Sequence, residues 1–398
     1  MLEKNLIAIS LDTLRADVAY RNRLRNLDSL CNSGTVFENT VSSAPITPVS
    51  HASIFTGLQP YEHGLRHLLR ERLSTWKPTL AELMANAGFE TGAIVACPGL
   101  NRWYGMDRGF AHYDDEVPRL RDGRDPVQVN DVKIRGTALK RAPLVVERSL
   151  RWLEQQRKKK FFLFTHFFDT HWPYEAPEWF APEQANPYEG EAHYVDHYLG
   201  RLMRQVEEWG LLENTLVVIF SDHGEDLAGW YANDHAGKER GHPEENGHGC
   251  LLFDATQMVP LIFIDRHLVP SGLRVSTQVR LVDILPTVME LLNIEDPTPR
   301  AGNSLVPLFS GNGQHRIAYS ETYYREEQAI TKEGVAGLGP LHAIRLENQF
   351  KVIVDVQSGG ITAYNLLSDP DEHQPTEFDR NHLGEVRIVD IPSHVTVS

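Results

Sequence analysis

Short apolar runs that read as strands alternate with longer segments of helical period through the first three quarters of the chain. LIAISLD precedes ADVAYRNRLRNLDSLCNSG, TLAELMANAGF leads into ETGAIVA, and VDHYLGRLMRQVEEWGLLENT leads into LVVIFSD. This alternation predicts an α/β fold: a large mixed, mainly parallel sheet sandwiched by helices. Polar residues follow the apolar runs at Asp12, at His166 to His171, and at Ser221 to Glu225. In open α/β sheets the carboxyl ends of the strands are where ligands bind. Near residue 300 the pattern shifts to shorter runs, SETYYREEQAIT, HAIRLENQFKVIVDV and ITAYNLLSD, joined by Gly-rich and Asp/Pro-rich turns. We expect a main domain over residues 1–311 and a small C-terminal antiparallel sheet with one helix over 312–398.

With 41% hydrophobic residues and three cysteines in 398, the chain reads as globular, and collagen-like and disulfide-stapled classes are excluded. A formal net charge of -15 argues against nucleic acid and anionic membranes as partners. An anionic substrate then needs a local positive feature such as a metal ion. Cys31, Cys97 and Cys250 are far apart in sequence and odd in number, which points to buried thiols in a reducing compartment. The opening apolar run is interrupted at Asp12, so it reads as a strand and not as a secretion signal, and no run of about 18 apolar residues marks a membrane anchor. The expected location is cytoplasmic; oligomeric state is not legible.

Asp12 follows the first strand, and Asp222 with His223 follows LVVIFS. Neighbouring side chains in a strand point to opposite faces, so Asp222 and His223 share one site only where the chain has already turned, a freedom assigned to Gly224. A carboxylate and imidazole set suits zinc or manganese, whereas calcium prefers oxygen ligands throughout. In SSAPITPVSHASIFTG two prolines precede a helical run, a turn that aims hydroxyls and backbone N–H groups at an anion. Thr47 and Ser50 are its hydroxyls, and a bound metal is one way to activate such a nucleophile. His171 and His248 lie just past two of these strand ends, placed to contact an anion or protonate a leaving oxygen. Residues 119–143 read as a basic surface excursion or a lid, Arg157 to Lys160 as the cationic end of a helix, and WYANDHAGKERGHPEEN, residues 230–246, as a solvated excursion or a cover for the site.

In order, ISLDTLRAD, APITPVSHASIFTG, THFFDTHWPY, IFSDHGE, HGCLLFDATQMVPLIF, VRLVDILPTVMELLNI and AGNSLVPLFSG resemble the sulfatase-like branch of the alkaline phosphatase superfamily, in particular its phosphonate monoester hydrolase and phosphodiesterase-type members. The resemblance implies that Asp12, Asp222 and His223 hold a metal, that Thr47 is the nucleophile and touches that metal, and that His171 and His248 bind substrate and take part in catalysis. Departures are informative. The nucleophile loop here runs Thr47, Pro48, Val49, Ser50, His51, without the convertible Cys or Ser or the Arg of sulfatases, so no formylglycine is expected. Ala96 and Pro98 stand where a Lys and a His belong, and Thr13 replaces the second of two paired aspartates. Two-metal members carry an Asp where this chain has Phe167, and Asp169 has the wrong spacing.

The resemblance therefore implies one divalent metal, zinc or manganese before calcium, with a weaker second ion conceivable at His171 and His248. The expected activity is hydrolysis of a small anionic ester, a phosphodiester, phosphonate monoester or related phosphoryl ester. Alternatives are a sulfuric ester hydrolase, a phosphoryl-group transferase, and a silent, metal-stabilised binding protein.

Overall fold

The computed structural model describes residues 4–21, 23–120, 122–125, 129, 140–180, 186–314, 316–331, 338–346 and 350–377. The large sheet contains β1 (Asn5–Leu11), β2 (Thr35–Val41), β3 (Glu90–Ile94), β4 (His112–Asp114), β5 (Phe161–Phe167), β6 (Thr215–Phe220), β7 (Met258–Ile264), β8 (Leu273–Val275) and β9 (Val279–Arg280). Their order is β4-β3-β5-β1-β6-β7-β2-β8, with β9 also paired to β2. β7 runs antiparallel to both its neighbours, and the other pairings are parallel. The expected mixed, mainly parallel sheet is thus what the chain forms.

β1 lies between β5 and β6, and all seven of its residues are buried. That is why its sequence is a continuous apolar run without the alternation of a half-exposed strand. Burial of one side chain such as Ile9 stabilises by roughly 1.5–3 kcal/mol. Helices cover the sheet in two groups. Arg25–Asn32, Ala142–Gln156 and Pro187–Glu208 pack together, as do Thr47–Thr56, Leu80–Asn86 and Ile284–Leu291. The longest, Pro187–Glu208, buries Tyr188, Ala192, Val195, Leu199, Met203 and Val206 at helical spacing. It starts at Asn186, whose side chain accepts a hydrogen bond from the Glu189 N–H, with Pro187 just inside the helix.

Arg157 to Lys160 do follow the end of the helix Ala142–Gln156, and the Arg157 guanidinium lies over the Trp209 ring. Residues 121, 126–128 and 130–139 of the basic excursion lie outside the described residues. At its far end Lys140 is buried and its Nζ donates to Asp114 Oδ1 at 2.9 Å.

The second sheet, β10 (Ala318–Thr322), β11 (Leu341–Leu346), β12 (Phe350–Asp355) and β13 (Ile361–Asn365), is antiparallel in sequential order, with the helix Tyr324–Thr331 after β10. It joins the main body through an apolar cluster of Leu251, Phe253, Leu341, Ile353 and Tyr364. Ser320 Oγ and the Glu321 N–H donate to the Ser42 and Ser43 carbonyls, fixing β10 beside the segment that leads to Thr47.

Candidate functional site

Because β5, β1 and β6 are in register, with Ser10 opposite His166 and Phe220, their carboxyl ends open onto one edge. Asp12 lies one residue past β1, and Asp222 and His223 lie two and three past β6. The turn after Asp12 is held tightly. The Tyr188 hydroxyl donates to the Thr13 carbonyl and accepts the Arg15 N–H, and the Thr13 N–H donates to Asp222 Oδ1 at 3.3 Å. Thr13 takes a φ of 57°, a conformation that β-branched residues rarely adopt and that proteins retain mainly at functional sites.

Asp222 and His223 do share the site, for a different reason from the one assigned to Gly224. Gly224 does not adopt a positive φ; a Cβ there would lie 2.1 Å from the Ala255 carbonyl oxygen, so glycine is required by the close approach of the α-helical turn at Asp254–Gln257. The two hydroxyls of the next helix are separated by their partners. Ser50 Oγ donates to the Asp222 carbonyl at 2.7 Å and is thereby spent on structure. Thr47 Oγ1 lies 3.2 Å from both Asp12 Oδ2 and His223 Nε2. Thr47 is the first residue of the wholly buried helix Thr47–Thr56, whose N-terminus has no side-chain cap. Its first N–H groups have no acceptor within the helix.

Asp12, Asp222 and His223 offer ligand atoms within 4.8 Å of one another, as does a second set, Asp12, Cys97 and His166, among the described residues. Asp12 Oδ1 and Asp222 Oδ2 are buried and accept no hydrogen bond, and among the described residues neither carboxylate pairs with Lys or Arg. Burial pushes Asp12 up to about 7, offset in part by His223 and reinforced by Glu225. Two desolvated carboxylates with orphaned oxygens and a flanking imidazole are a donor set that fits a divalent cation. The Cys97 thiol is pushed well up by burial and by Asp12, which keeps it protonated.

His171 and His248 meet at this edge, their rings 4.9 Å apart, with His248 4.4 Å from the His223 ring. His171 stacks on Phe168, and its Nδ1–H donates to the Trp172 carbonyl at 2.7 Å. Burial lowers both imidazoles, His248 to about 4. Neither belongs to a ligand set of the kind just described. Together with Thr47 they line a cavity of about 130 Å³ whose remaining wall is largely apolar, including Leu68, Leu69, Pro98, Tyr104, Phe168, Trp172 and Tyr324. No Lys or Arg lines it among the described residues. The segment 226–247, which contains the excursion over 230–246, is exposed over much of its length, as at Trp230 and at Lys238 to Gly241, and is anchored from within. Asp226, Asp234 and Glu245 are buried in it and organise it: Asp226 accepts the Ala228, His235 and Ala236 N–H groups, and Asp234 accepts the Arg15 guanidinium at 2.7 Å.

Three residues beyond those read from the sequence belong to the site. His166 Nε2 lies 3.0 Å from Asp12 Oδ2, and its signal was being the one ionisable side chain in FFLFTHF. His51, one turn after Thr47, bonds through Nδ1 to the Thr47 carbonyl at 2.8 Å, with Nε2 3.0 Å from Ser10 Oγ. Burial lowers it to about 4, so a neutral ring fills the place of the sulfatase Arg. Glu225 is wholly buried, pushed up to about 8 by that burial, and its Oε1 lies 2.9 Å from His248 Nδ1. A carboxylate three positions after Asp222 was visible, but its partner 23 residues on was not.

The Sulfatase family model matches residues 4–294. A Delta 4,5-hexuronate-2-O-sulfatase from Bacteroides thetaiotaomicron is 24% identical over 415 residues, covering 87% of this chain and 78% of that protein. Arylsulfatase K from Xenopus laevis is 21% identical over 406 residues, covering 85% and 72%. The phosphonate monoester hydrolase of Agrobacterium radiobacter shares the fold, with a TM-score of 0.74 at 20% identity over 95% of this chain and 92% of that one. The chain therefore belongs to the sulfatase family of the alkaline phosphatase-like superfamily, a family of metal-dependent ester hydrolases.

Proposed function

We propose that the protein hydrolyses small, singly charged phosphoryl esters, phosphodiesters or phosphonate monoesters, with Thr47 as nucleophile. Asp12, Asp222 and His223, with the Thr47 hydroxyl beside them, would hold one divalent ion, zinc or manganese in preference to calcium. Bound there, the ion would polarise the phosphoryl oxygens and lower the pKa of the Thr47 hydroxyl. At the start of the Thr47 helix the Thr47 and Val49 N–H groups, Pro48 having none, would donate to the anionic centre. His171 and His248 contact its oxygens or the leaving group. The second ion conceived at His171 and His248 is not part of this proposal, because neither histidine joins a cluster of three ligand atoms among the described residues.

The observation that carries the reading is the Thr47 hydroxyl, 3.2 Å from Asp12 and from His223 at a helix N-terminus. Charge supports the substrate class. A phosphate monoester dianion finds no Lys or Arg among the described cavity-lining residues, whereas a diester or phosphonate monoester carries one charge. A sulfuric ester also carries one charge, and the sulfatase names of the relatives favour it as the second reading.

The test is metal-free protein reloaded separately with zinc, manganese and calcium, then assayed on bis-nitrophenyl phosphate, nitrophenyl phenylphosphonate, nitrophenyl phosphate and nitrophenyl sulfate. Preference for the first two supports the proposal. Preference for the sulfate replaces it with the second reading, and preference for the monoester removes the charge argument.

A further inference from the structure

Leu68 and Leu69 line the cavity from a segment, residues 64–79, that is neither helix nor strand. Backbone N–H groups in such a segment have no ladder of their own and need other acceptors. Two glutamates meet the N–H groups from Arg66 to Leu69. Glu71, within the segment, accepts those of Arg66 and His67 on Oε2 at 2.6 and 2.8 Å. Glu327 accepts the Leu68 N–H on Oε2 at 2.9 Å and the Leu69 N–H on Oε1 at 2.7 Å, so each of its oxygens holds one residue of the cavity wall. It stands 259 and 258 residues away from them in sequence, on the helix Tyr324–Thr331 that follows β10, and is only 4% exposed. Neighbouring contacts tie the same two regions together. The Arg66 guanidinium donates to both oxygens of Glu321 on β10, at 2.6 and 2.8 Å, and lies over the Tyr323 ring at 4.2 Å. The Leu68 carbonyl accepts the Tyr104 hydroxyl at 2.8 Å, and Tyr324, at the start of the Glu327 helix, lines the cavity itself.

We infer that Glu327 is a positioning residue for substrate specificity: it holds Leu68 and Leu69 as the wall that receives the organic group of the ester. The second sheet and its helix thereby help to set which esters are accepted, an inference that rests on the ester hydrolysis proposed above. Fixing a loop backbone costs conformational entropy, and two charge-assisted hydrogen bonds to a buried carboxylate offset that cost at the two residues in contact with the cavity. Glu71 does not fill this role, because Arg66 and His67 lie outside the cavity wall. Without Glu327 the Leu68 and Leu69 N–H groups lose these acceptors and the wall loosens. The hydrogen bonds that place Asp12, Thr47, Asp222 and His223 come from other segments and stay in place. Loss of Glu327 therefore weakens the grip on the organic group and spares the chemical step.

Two measurements test this. The first is the kinetics of p-nitrophenyl phenyl phosphate hydrolysis by metal-loaded protein, with dimethyl phosphate, which carries the same charge and little apolar surface, as competitive inhibitor. Glu327→Ala should raise KM about 10-fold, with kcat within about 3-fold and the dimethyl phosphate inhibition constant within about 2-fold of wild type. Glu327→Gln, which keeps the shape but only one acceptor oxygen, should fall between wild type and Glu327→Ala. Added to a Leu68→Ala, Leu69→Ala background, Glu327→Ala should change KM by no more than about 2-fold, because Glu327 acts through those residues. A fall in kcat with KM unchanged, dimethyl phosphate weakened in step with the ester, or losses that multiply in the combined variant overturn the inference. The second measurement needs no turnover. Arg70 and Arg72 are exposed on the segment, and trypsin should cut after them at least about 10-fold faster in native Glu327→Ala than in wild type, with its other sites cut at unchanged rates. Unchanged cleavage there, or a rise shared by every site, overturns the inference. If wild type hydrolyses no ester while trypsin responds as stated, the proposed hydrolysis falls and the hold of Glu327 on the segment stands.

Discussion

Two of the clusters of buried carboxylates have opposite surroundings. At the junction of the two sheets, Asp254 is met by Lys351 Nζ at 2.7 Å and Arg345 at 3.1 Å, while Lys351 also reaches Glu372 at 3.0 Å. Burial alone would raise Asp254, but the two cations hold it down at about 2. At the strand-end site, Asp12, Asp222 and Glu225 are equally enclosed, each has an oxygen without a hydrogen bond, and burial carries Asp12 and Glu225 up to about 7 and 8. A fold that supplies Lys and Arg to Asp254 and, among the described residues, pairs neither Asp12 nor Asp222 with one separates charge used for cohesion from charge kept for a ligand.

The sharpest break of this comparison is to change one residue in each region. Thr47→Ala should lower kcat on bis-nitrophenyl phosphate by at least about 10⁴-fold, with metal content and melting temperature nearly unchanged. Normal turnover in that variant would remove Thr47 from the chemistry. Lys351→Met should do the reverse. Removing one partner of a buried charge cluster costs about 3–5 kcal/mol in urea unfolding, while kcat per folded molecule stays as in wild type. A cost below about 1 kcal/mol would mean that the junction is wetter than its burial indicates.

Acidity sharpens the contrast, since the two clusters respond with opposite sign. Asp12 has a folded value near 7 against an ordinary 3.8, so in metal-free protein its contribution is fully present below about pH 4 and lost as pH rises through about 7. Asp254, held at about 2 against 3.8, contributes above about pH 4 and loses that contribution as pH falls through about 2. On going from about pH 8 to pH 5 Asp12 therefore favours the folded state while His51, His171 and His248, held neutral by burial, oppose it, so in chelator-treated protein the Asp12 contribution, on the order of 2–4 kcal/mol, is read as the difference between wild type and Asp12→Asn. Unfolding curves at a series of pH values, with and without added zinc or manganese, read this directly. A wild type that loses as much stability as Asp12→Asn between about pH 5 and pH 8 would show that Asp12 is not desolvated as described.

The same contrast explains what could be read in advance. Asp12, Thr47, Asp222 and His223 stand immediately after strands or at the start of a helix, so local sequence places them on one edge once the parallel sheet is inferred. The antiparallel sheet was legible too, because its turns lie close in sequence. Partnerships across long separations were not. Glu225 with His248, His166 with Asp12, and Lys351 with Asp254 depend on packing that no short window contains. Gly224 was noticed for conformational freedom when its requirement is the Ala255 backbone, a neighbour set by the antiparallel strand β7 that follows. The excursion over 230–246 is exposed over much of its length, as its composition suggests, but its anchoring through Asp234 on the Arg15 guanidinium spans 219 residues and lay outside any short window.

The smallest effect concerns what the cavity holds besides the anion. Trp172 is 44% exposed and lines the cavity beside His171, and it also borders an adjoining cleft with Tyr174 and Trp230. Trp76 is 83% exposed and lines neither. If the apolar wall binds the organic part of the ester equally in ground and transition states, Trp172→Ala should raise KM for aryl esters by about 10-fold and leave kcat within about 3-fold. Trp76→Ala should change neither. A fall in kcat with KM unchanged in Trp172→Ala would assign this ring to holding His171 in place, since the His171 Nδ1–H bond ends on the carbonyl of the same residue. That outcome would move Trp172 from the substrate wall into the support of the site, and leave Leu68, Leu69 and Tyr104 as the surfaces that meet the organic group.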